Sequence, residues 1–253
     1  MIKVFKIGGN VVDNPAKLDS FLSDFASIQG AKILIHGGGK IATQISKSLG
    51  IQTTMIEGRR VTDADTLGVV TMVYAGGVNK DIVSRLQRKG LNTIGLCGAD
   101  GRLIESHKRK PAPIDYGFVG DPFRVNTSLL ETLANAGYTV VVAPITFDES
   151  CGLLNTNADT VAASVATALA EKNEVELIFC FEKSGVLRDV GDESTLIESI
   201  TRQELAGLKA EGVVADGMLP KLENSFKAID GGVKRVRICA AENIANGRGT
   251  VLM

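Results

Sequence analysis

The sequence predicts a three-layer α/β/α sandwich on a mainly parallel central sheet. Three observations carry this. Short runs rich in β-branched residues recur along the chain, and segments of helical period lie between them. Runs such as KILIH (32–36) and TVVVAPI (139–145) are also apolar or nearly so throughout, as strands covered by helices on both faces must be. In order, IKVFKI (2–7) opens the sheet and a 3.6-period segment at roughly 14–28 follows it. KILIH leads into a second helix at 40–49, and the periodic stretch 63–89 precedes the strand NTIGLC (92–97). The region 98–125 differs: RLIESHK and IDYGFVG, with Gly and Pro between them, predict β-hairpins added to the sheet, and 145–154 offers another. Helices at 126–136 and 157–171 flank TVVVAPI. The strands ELIFCF (176–181), RVRIC (235–239) and TVLM (250–253) follow, with helices at 201–211 and 217–231. The chain reads as one domain, with a weak division near 175 between an N-terminal lobe (1–174) and a C-terminal lobe (175–253) that share the sheet.

Composition narrows the function. The 253 residues are 44% apolar, enough for a substantial core. Lys+Arg 28 against Asp+Glu 29 gives a net charge of -1, with no basic excess to attract nucleic acid. MIKVFKIGGN enters a strand pattern at once, so no signal peptide is expected, and no window approaches the roughly 18 apolar residues of a membrane span. Cys97, Cys151, Cys180 and Cys239 lie far apart with no CxxC, and the chain has 2 histidines, so zinc-ligand spacing is absent and reduced thiols of a cytoplasmic protein are expected.

Three turns follow strands, where open α/β sheets bind ligands: KIGGN (Lys6 to Asn10), HGGGK (His36 to Lys40) and NTNADTVAASVATALA (Asn155 to Ala170). Glycines there serve either a tight turn or a close ligand approach, and Asn157 or Asp159 either caps a helix or meets a ligand. TDAD (Thr62 to Asp65) fits a capping box. Lys6 ends a buried strand, and an unpaired buried ammonium is costly, so an anionic partner is expected nearby. HGGGK is no P-loop. GGGKIA fits only the alanine-ending variant of the dinucleotide fingerprint, and no acidic residue follows the next strand to read a ribose.

Taken in order, KIGGN, IHGGGK, EGRRVTDAD, LLNTNADTVAA, SGVLRD and DGMLPKLENSFKAIDGGVKRVRI resemble the amino acid kinase family over essentially the whole chain. The G-x-R-V-T and N-x-N-A-D elements are similar to its acylglutamate branch, which serves arginine biosynthesis. The resemblance implies the amino acid kinase fold, with the hairpins near the substrate. It also implies transfer of the γ-phosphoryl of ATP, with Mg²⁺ on the nucleotide phosphates, to the side-chain carboxylate of N-acetyl-L-glutamate. By position, Lys6 and Lys221 match the two transition-state lysines and Asp159 the carboxylate that steadies them. Gly38 and Gly39 would offer N–H groups to the amino acid, Arg60 would fork onto its α-carboxylate, and Asn155 would bind it from the opposite side. Gly8 and Gly9 would approach the phosphates, and Glu182, Lys183, Ser184, Gly185, Val213 and Ala215 fall in the nucleotide-binding segments. No residue is assigned as a metal ligand. Arg59 reads as a surface charge and His36 as a hydrogen-bonded structural histidine.

The chemistry agrees with this pattern. A side-chain carboxylate with pKa near ~4.3 is already ionised at pH 7 and needs no general base. Its difficulty is approach to a polyanion, since like charges 4 Å apart repel by roughly 4 kcal/mol at an effective dielectric of 20. Fixed cations answer that. There are departures from the family pattern. CFEKSGVL carries Glu182-Lys183 where relatives have Thr-Asp, Pro220 precedes Lys221, and Asp121-Pro122 interrupts the hairpin near the acyl group. A different acyl group, such as succinyl, is therefore an alternative, as is a non-catalytic amino-acid sensor. Hexameric, arginine-inhibited members carry a helix ahead of the first strand, so a homodimer insensitive to arginine is expected, with 63–89 as its candidate face. Neither nucleic acid nor membrane is expected as a partner.

Overall fold

The computed structural model describes residues 1–56, 58–214 and 218–253, the side chains of 219 and 220 excepted. From the N-terminus come β1 (Ile2–Ile7), the single turn α1 (Gly9–Val12), α2 (Pro15–Ser27), β2 (Lys32–His36) and α3 (Gly39–Ser48). A small hairpin, β3 (Met55–Ile56) and β4 (Arg59–Arg60), precedes α4 (Ala64–Thr71), a π-helical stretch (Met72–Val78) and α5 (Asn79–Arg88). Then follow β5 (Thr93–Leu96), β6 (Ile104–Lys108), β7 (Gly120–Val125), α6 (Thr127–Asn135), β8 (Thr139–Val142), β9 (Ile145–Asp148), β10 (Gly152–Asn155) and α7 (Ala158–Ala170). The last part contains β11 (Val175–Phe181), β12 (Ser199–Ile200), α8 (Arg202–Ala210), α9 (Leu219–Asp230), β13 (Arg235–Ala240) and β14 (Thr250–Leu252).

The large sheet runs β12-β14-β13-β11-β1-β2-β8-β5 and is parallel except where β13 meets β14. Period-two alternation then divides the core. Val4, Ile33, Ile35, Val142, Leu177 and Phe179 face one way, onto Val161, Val165 and Leu169 of α7 and Phe226 of α9. Phe5, Ile7, Leu34, Val141 and Ile178 face the other, onto Leu18, Phe21 and Phe25 of α2 and Ile82 and Leu86 of α5. Phe5 and Phe25 meet edge to face, with centroids 5.2 Å apart. This is the expected α/β/α sandwich.

Three expectations are corrected. The run 139–145 is not one strand. β8 stops at Val142 because Pro144 has no N–H for the ladder, and Ile145 begins β9 in a different sheet. The hairpins of 98–125 and 145–154 consequently do not extend the large sheet but form their own, in the order β10-β9-β6-β7. Pro122 lies on β7 at the edge of that sheet, where a missing N–H disturbs least, next to a register shift between Glu105 and Ser106. Finally, Thr62 does not cap α4: Asp63 does, accepting from the Thr66 N–H at 2.8 Å, which leaves the Thr62 hydroxyl free for the site.

Candidate active site

Strand alternation places Lys6. It continues the row Ile2–Val4 toward α7, and the parallel register sets it beside Phe179, so its side chain leaves the carboxyl end of β1 on the α7 face. There Asn157 caps α7 by accepting from the N–H groups of Asp159 and Thr160 at 2.8 and 3.2 Å. That cap turns Asp159, in the helix's first turn, onto Lys6, with Nζ to Oδ1 at 2.7 Å. The anionic partner expected for Lys6 is therefore Asp159, while Asn157 takes the capping role. Lys221, in the first turn of α9, approaches from the other side and is half-buried. Burial depresses its pKa, Asp159 opposes that shift, and the nearby Lys6 adds to it. Both ammonium groups lie over the Phe181 ring, Lys221 at 4.1 Å and Lys6 at 5.8 Å from its centroid.

The two glycine turns stand side by side at the ends of β1 and β2. The Gly37 N–H donates to Ile7 O at 3.0 Å, and Lys40 donates to Asn10 across the turns. Gly38 has φ 152°, and a side chain there would bring its first carbon within 3.2 Å of the Tyr74 ring, in the π-helical stretch. Behind the turn, His36 is fully buried. Its Nδ1–H donates to Gly37 O at 2.8 Å, and Nε2 accepts from Asn79 at 3.2 Å. Asn79 also donates to Val141 O at 3.1 Å. Burial holds the imidazole near pKa 4, neutral at pH 7 and structural as expected.

A cleft opens from Gly8 and Gly37–Gly39 toward β4 and the second sheet, lined by Lys6, Arg60, Tyr74, Arg109, Asn155 and Asn157. Arg60 is buried and held by Gly39 O and Thr43 at 2.9 Å and by Thr53 at 3.2 Å. Asn155 donates to the Thr62 hydroxyl at 3.0 Å, and Thr62 in turn donates to Arg60 O at 3.0 Å. Arg109 stacks on Tyr116 and pairs with Asp121, leaving a buried Nη1 with no hydrogen-bond partner among the described residues. Arg59 is exposed as expected, yet it stands on the lip of this cleft.

A second cleft on the far side of Gly8 is lined by Asn10, Phe181, Glu182, Lys183, Gly185, Met218 and Lys221. Glu193 shapes its rim, accepting from Ser184 N–H at 3.3 Å and pairing with Lys183 at 3.5 Å. Gly185 is required by packing, since a side chain would fall within 2.5 Å of the Thr250 hydroxyl. Of the remaining expected nucleotide contacts, Val213 packs half-buried against the core and does not line this cleft. Ala215 lies outside the described residues.

Lys6, Asp159, Lys221, Gly8 and Gly9 thus come together where the clefts meet, with Gly38, Gly39, Arg60 and Asn155 on one side and Glu182, Lys183 and Gly185 on the other. Sequence reasoning missed Thr62, Tyr74, Asn79, Arg109 and Phe181. Thr62 was within reach, as the last residue of G-x-R-V-T.

Two adjoining clefts that meet at Gly8, one lined by Lys6 and the other by Lys221, define a site able to bring two anions together at the carboxyl ends of a parallel sheet. Comparison with known proteins gives the class. The sequence pattern of the amino acid kinase family matches residues 1–240, and the chain belongs to that family. It is 50% identical over 251 residues to the acetylglutamate kinase of Phocaeicola vulgatus, covering 99% of this chain and 98% of that one. It is 52% identical over 242 residues to the acetylglutamate kinase of Cytophaga hutchinsonii, covering 95% and 92%. Among solved structures, N-acetylglutamate synthase from Neisseria gonorrhoeae, complexed with coenzyme A and N-acetyl-glutamate, superposes with a TM-score of 0.83 at 22% identity, covering 99% of this chain and 59% of that one. That likeness concerns the fold alone.

Proposed function

We propose that this chain transfers the γ-phosphoryl group of ATP to the side-chain carboxylate of N-acetyl-L-glutamate, giving the acyl phosphate, a step of arginine biosynthesis. The relatives of the same activity at about half identity support the reaction. The observation that carries it is the junction itself: Lys6, braced by Asp159 at 2.7 Å, and Lys221 stand where the two clefts meet. The acceptor is already an anion, so no base is required, and neutral, buried His36 is not positioned to serve as one. The two ammonium groups offset the repulsion between acceptor carboxylate and phosphate, which otherwise amounts to roughly 4 kcal/mol per close charge pair.

In this reading Arg60 takes the α-carboxylate, for which its buried, three-fold anchored guanidinium is already oriented. The N–H groups of Gly38 and Gly39 and the Asn155 amide hold the rest of the amino acid. Gly8 and Gly9 present bare backbone to the phosphates, and Glu182, Lys183 and Ser184 border the nucleotide. The phosphates fit here: a side chain on Gly8 would project to 3.7 Å from Lys6 Nζ, so bare backbone leaves that ammonium open to an anion. Magnesium carried on those phosphates would supply further positive charge beside Lys6 and Lys221. We take the enzyme to be a cytoplasmic homodimer, with the stretch 63–89, which carries the exposed Met72, as its contact face. Light scattering at the monomer mass would refute the dimer.

Arg109 favours a second reading of the acyl group. Arg109 lines the amino-acid cleft with a buried Nη1 that has no partner among the described residues, and an acyl chain ending in a carboxylate, as succinyl does, would pair with its guanidinium. One experiment tests reaction and acyl preference together: a panel of N-acylated glutamates with MgATP, any acyl phosphate being trapped with hydroxylamine. We expect hydroxamate with the acetyl or the succinyl substrate. None with any member of the panel would overturn the proposed reaction.

A further inference from the structure

We propose that Phe181 is a positioning residue for this transfer, its ring being the surface that holds the Lys6 and Lys221 ammonium groups at a fixed spacing. The inference rests on the reading of those lysines given above. Phe181 ends β11 in the wall of the nucleotide cleft, and it stacks on buried Phe179 with centroids 6.1 Å apart and planes 22° from parallel. Phe179 and Phe181 alternate onto the same face of β11, the face on which the register sets Lys6. One ring therefore meets both cations, at 5.8 Å from Lys6 and 4.1 Å from Lys221, while Asp159 is engaged with Lys6 at 2.7 Å.

The choice of an aromatic group follows from the chemistry. Two ammonium groups side by side repel each other, and something must hold them. A second carboxylate would do so, but it would cancel the charge the phosphates need and would repel them directly. The negative face of a ring attracts a cation without carrying net charge, so the pair keeps positive charge at the junction that a second carboxylate would cancel. Leucine, of similar bulk, would fill the space and lose the attraction.

The test compares Phe181→Leu with Phe181→Tyr, which keeps the ring. We expect kcat to fall about 10-fold in Phe181→Leu with the KM of the amino acid unchanged, and to stay within about threefold in Phe181→Tyr. A second readout needs no turnover. In protein carrying ¹³C at lysine Cε, with the Lys221 signal assigned by its loss in Lys221→Arg, the Lys221 titration midpoint should fall in Phe181→Leu by about half a unit or more. If Phe181→Leu does not fold, Phe181→Met replaces it in the same comparison. An unmoved midpoint in a folded ring-less variant, or a tyrosine variant as impaired as the leucine one, overturns the proposal. Because the titration is independent of catalysis, a shifted midpoint in a protein that phosphorylates nothing would refute the reaction and leave the role of the ring standing.

Discussion

The two clefts that meet at Gly8 are built differently. On the proposed amino-acid side, Arg109 apart, the polar groups are buried and bonded to one another: Arg60 to Gly39, Thr43 and Thr53, Thr62 to Arg60 and Asn155, His36 to Gly37 and Asn79. On the nucleotide side Glu182 and Lys183 are exposed, and Glu193 holds the rim through one long hydrogen bond and one loose ion pair. A buried network fixes geometry before the ligand arrives, because each member left unbonded would carry a desolvation penalty. Solvated contacts impose little. The acceptor, a small flexible amino acid, must be oriented to react, whereas the nucleotide brings its own rigid and highly charged handle. The difference teaches that preorganisation has been concentrated where the ligand supplies least of it.

The largest expected effect lies at the junction of the clefts. Lys221→Ala should lower kcat by about 10²-fold or more, in the range seen on losing one transition-state donor, and leave the KM of the amino acid near its wild-type value. Burial has already depressed the Lys221 pKa, so the wild-type rate should also decline on the alkaline side sooner than an ordinary lysine would dictate. Steady-state kinetics across pH check both, and a Lys221→Ala enzyme of normal kcat would end the electrostatic account. Next comes Arg60→Ala, which tests the rigid side. Losing a charged, forked contact costs about 2 to 3 kcal/mol, so the KM of the amino acid should rise roughly 30- to 150-fold with kcat changed far less. A normal KM would remove the α-carboxylate clamp.

How much of this could be read from residues alone differs between the same two regions. The sheet was legible because alternation and helical period are local signals, and the strand at 139–145 was overextended only because one proline outweighed its β-branched neighbours. On the amino-acid side Gly38, Arg60 and Asn155 sit in short motifs, so resemblance reached them. Asn79 carried no signal: it lies 43 positions from His36, on a helix whose periodicity reads as ordinary core. Phe181 was invisible for a related reason, since an aromatic at the end of an apolar strand looks like core until two lysines from distant segments are found above its face. Val213, a motif position that the resemblance assigns to the nucleotide, packs half-buried on the core.

The third prediction tests whether the buried network depends on a neutral histidine. The His36 pKa is lowered from 6.5 to about 4, so between those values the unfolded chain binds the proton that the folded chain refuses. Stability therefore rises with pH through that window, being fully present above the unfolded value and lost as pH falls toward 4. Going from pH 7 to pH 5 should cost about 2 kcal/mol through this one group. Urea unfolding of the wild type and of His36→Gln at the two pH values measures it. Equal acid losses in the two proteins would mean that protonation of His36 carries no such cost.

The smallest effect is expected on the open side, and for that reason it sharpens the contrast. Glu193 is about half exposed, meets Lys183 at 3.5 Å and receives the Ser184 N–H at 3.3 Å. Solvated contacts of this kind contribute about 0 to 1 kcal/mol. Glu193→Ala should accordingly change the KM of ATP by less than about fivefold and leave the amino-acid KM untouched. Parallel KM measurements for both substrates decide the matter. A tenfold or greater rise for ATP would show that the rim is as firmly built as the Arg60 side. The division between a preorganised acceptor cleft and a permissive nucleotide cleft would then fail.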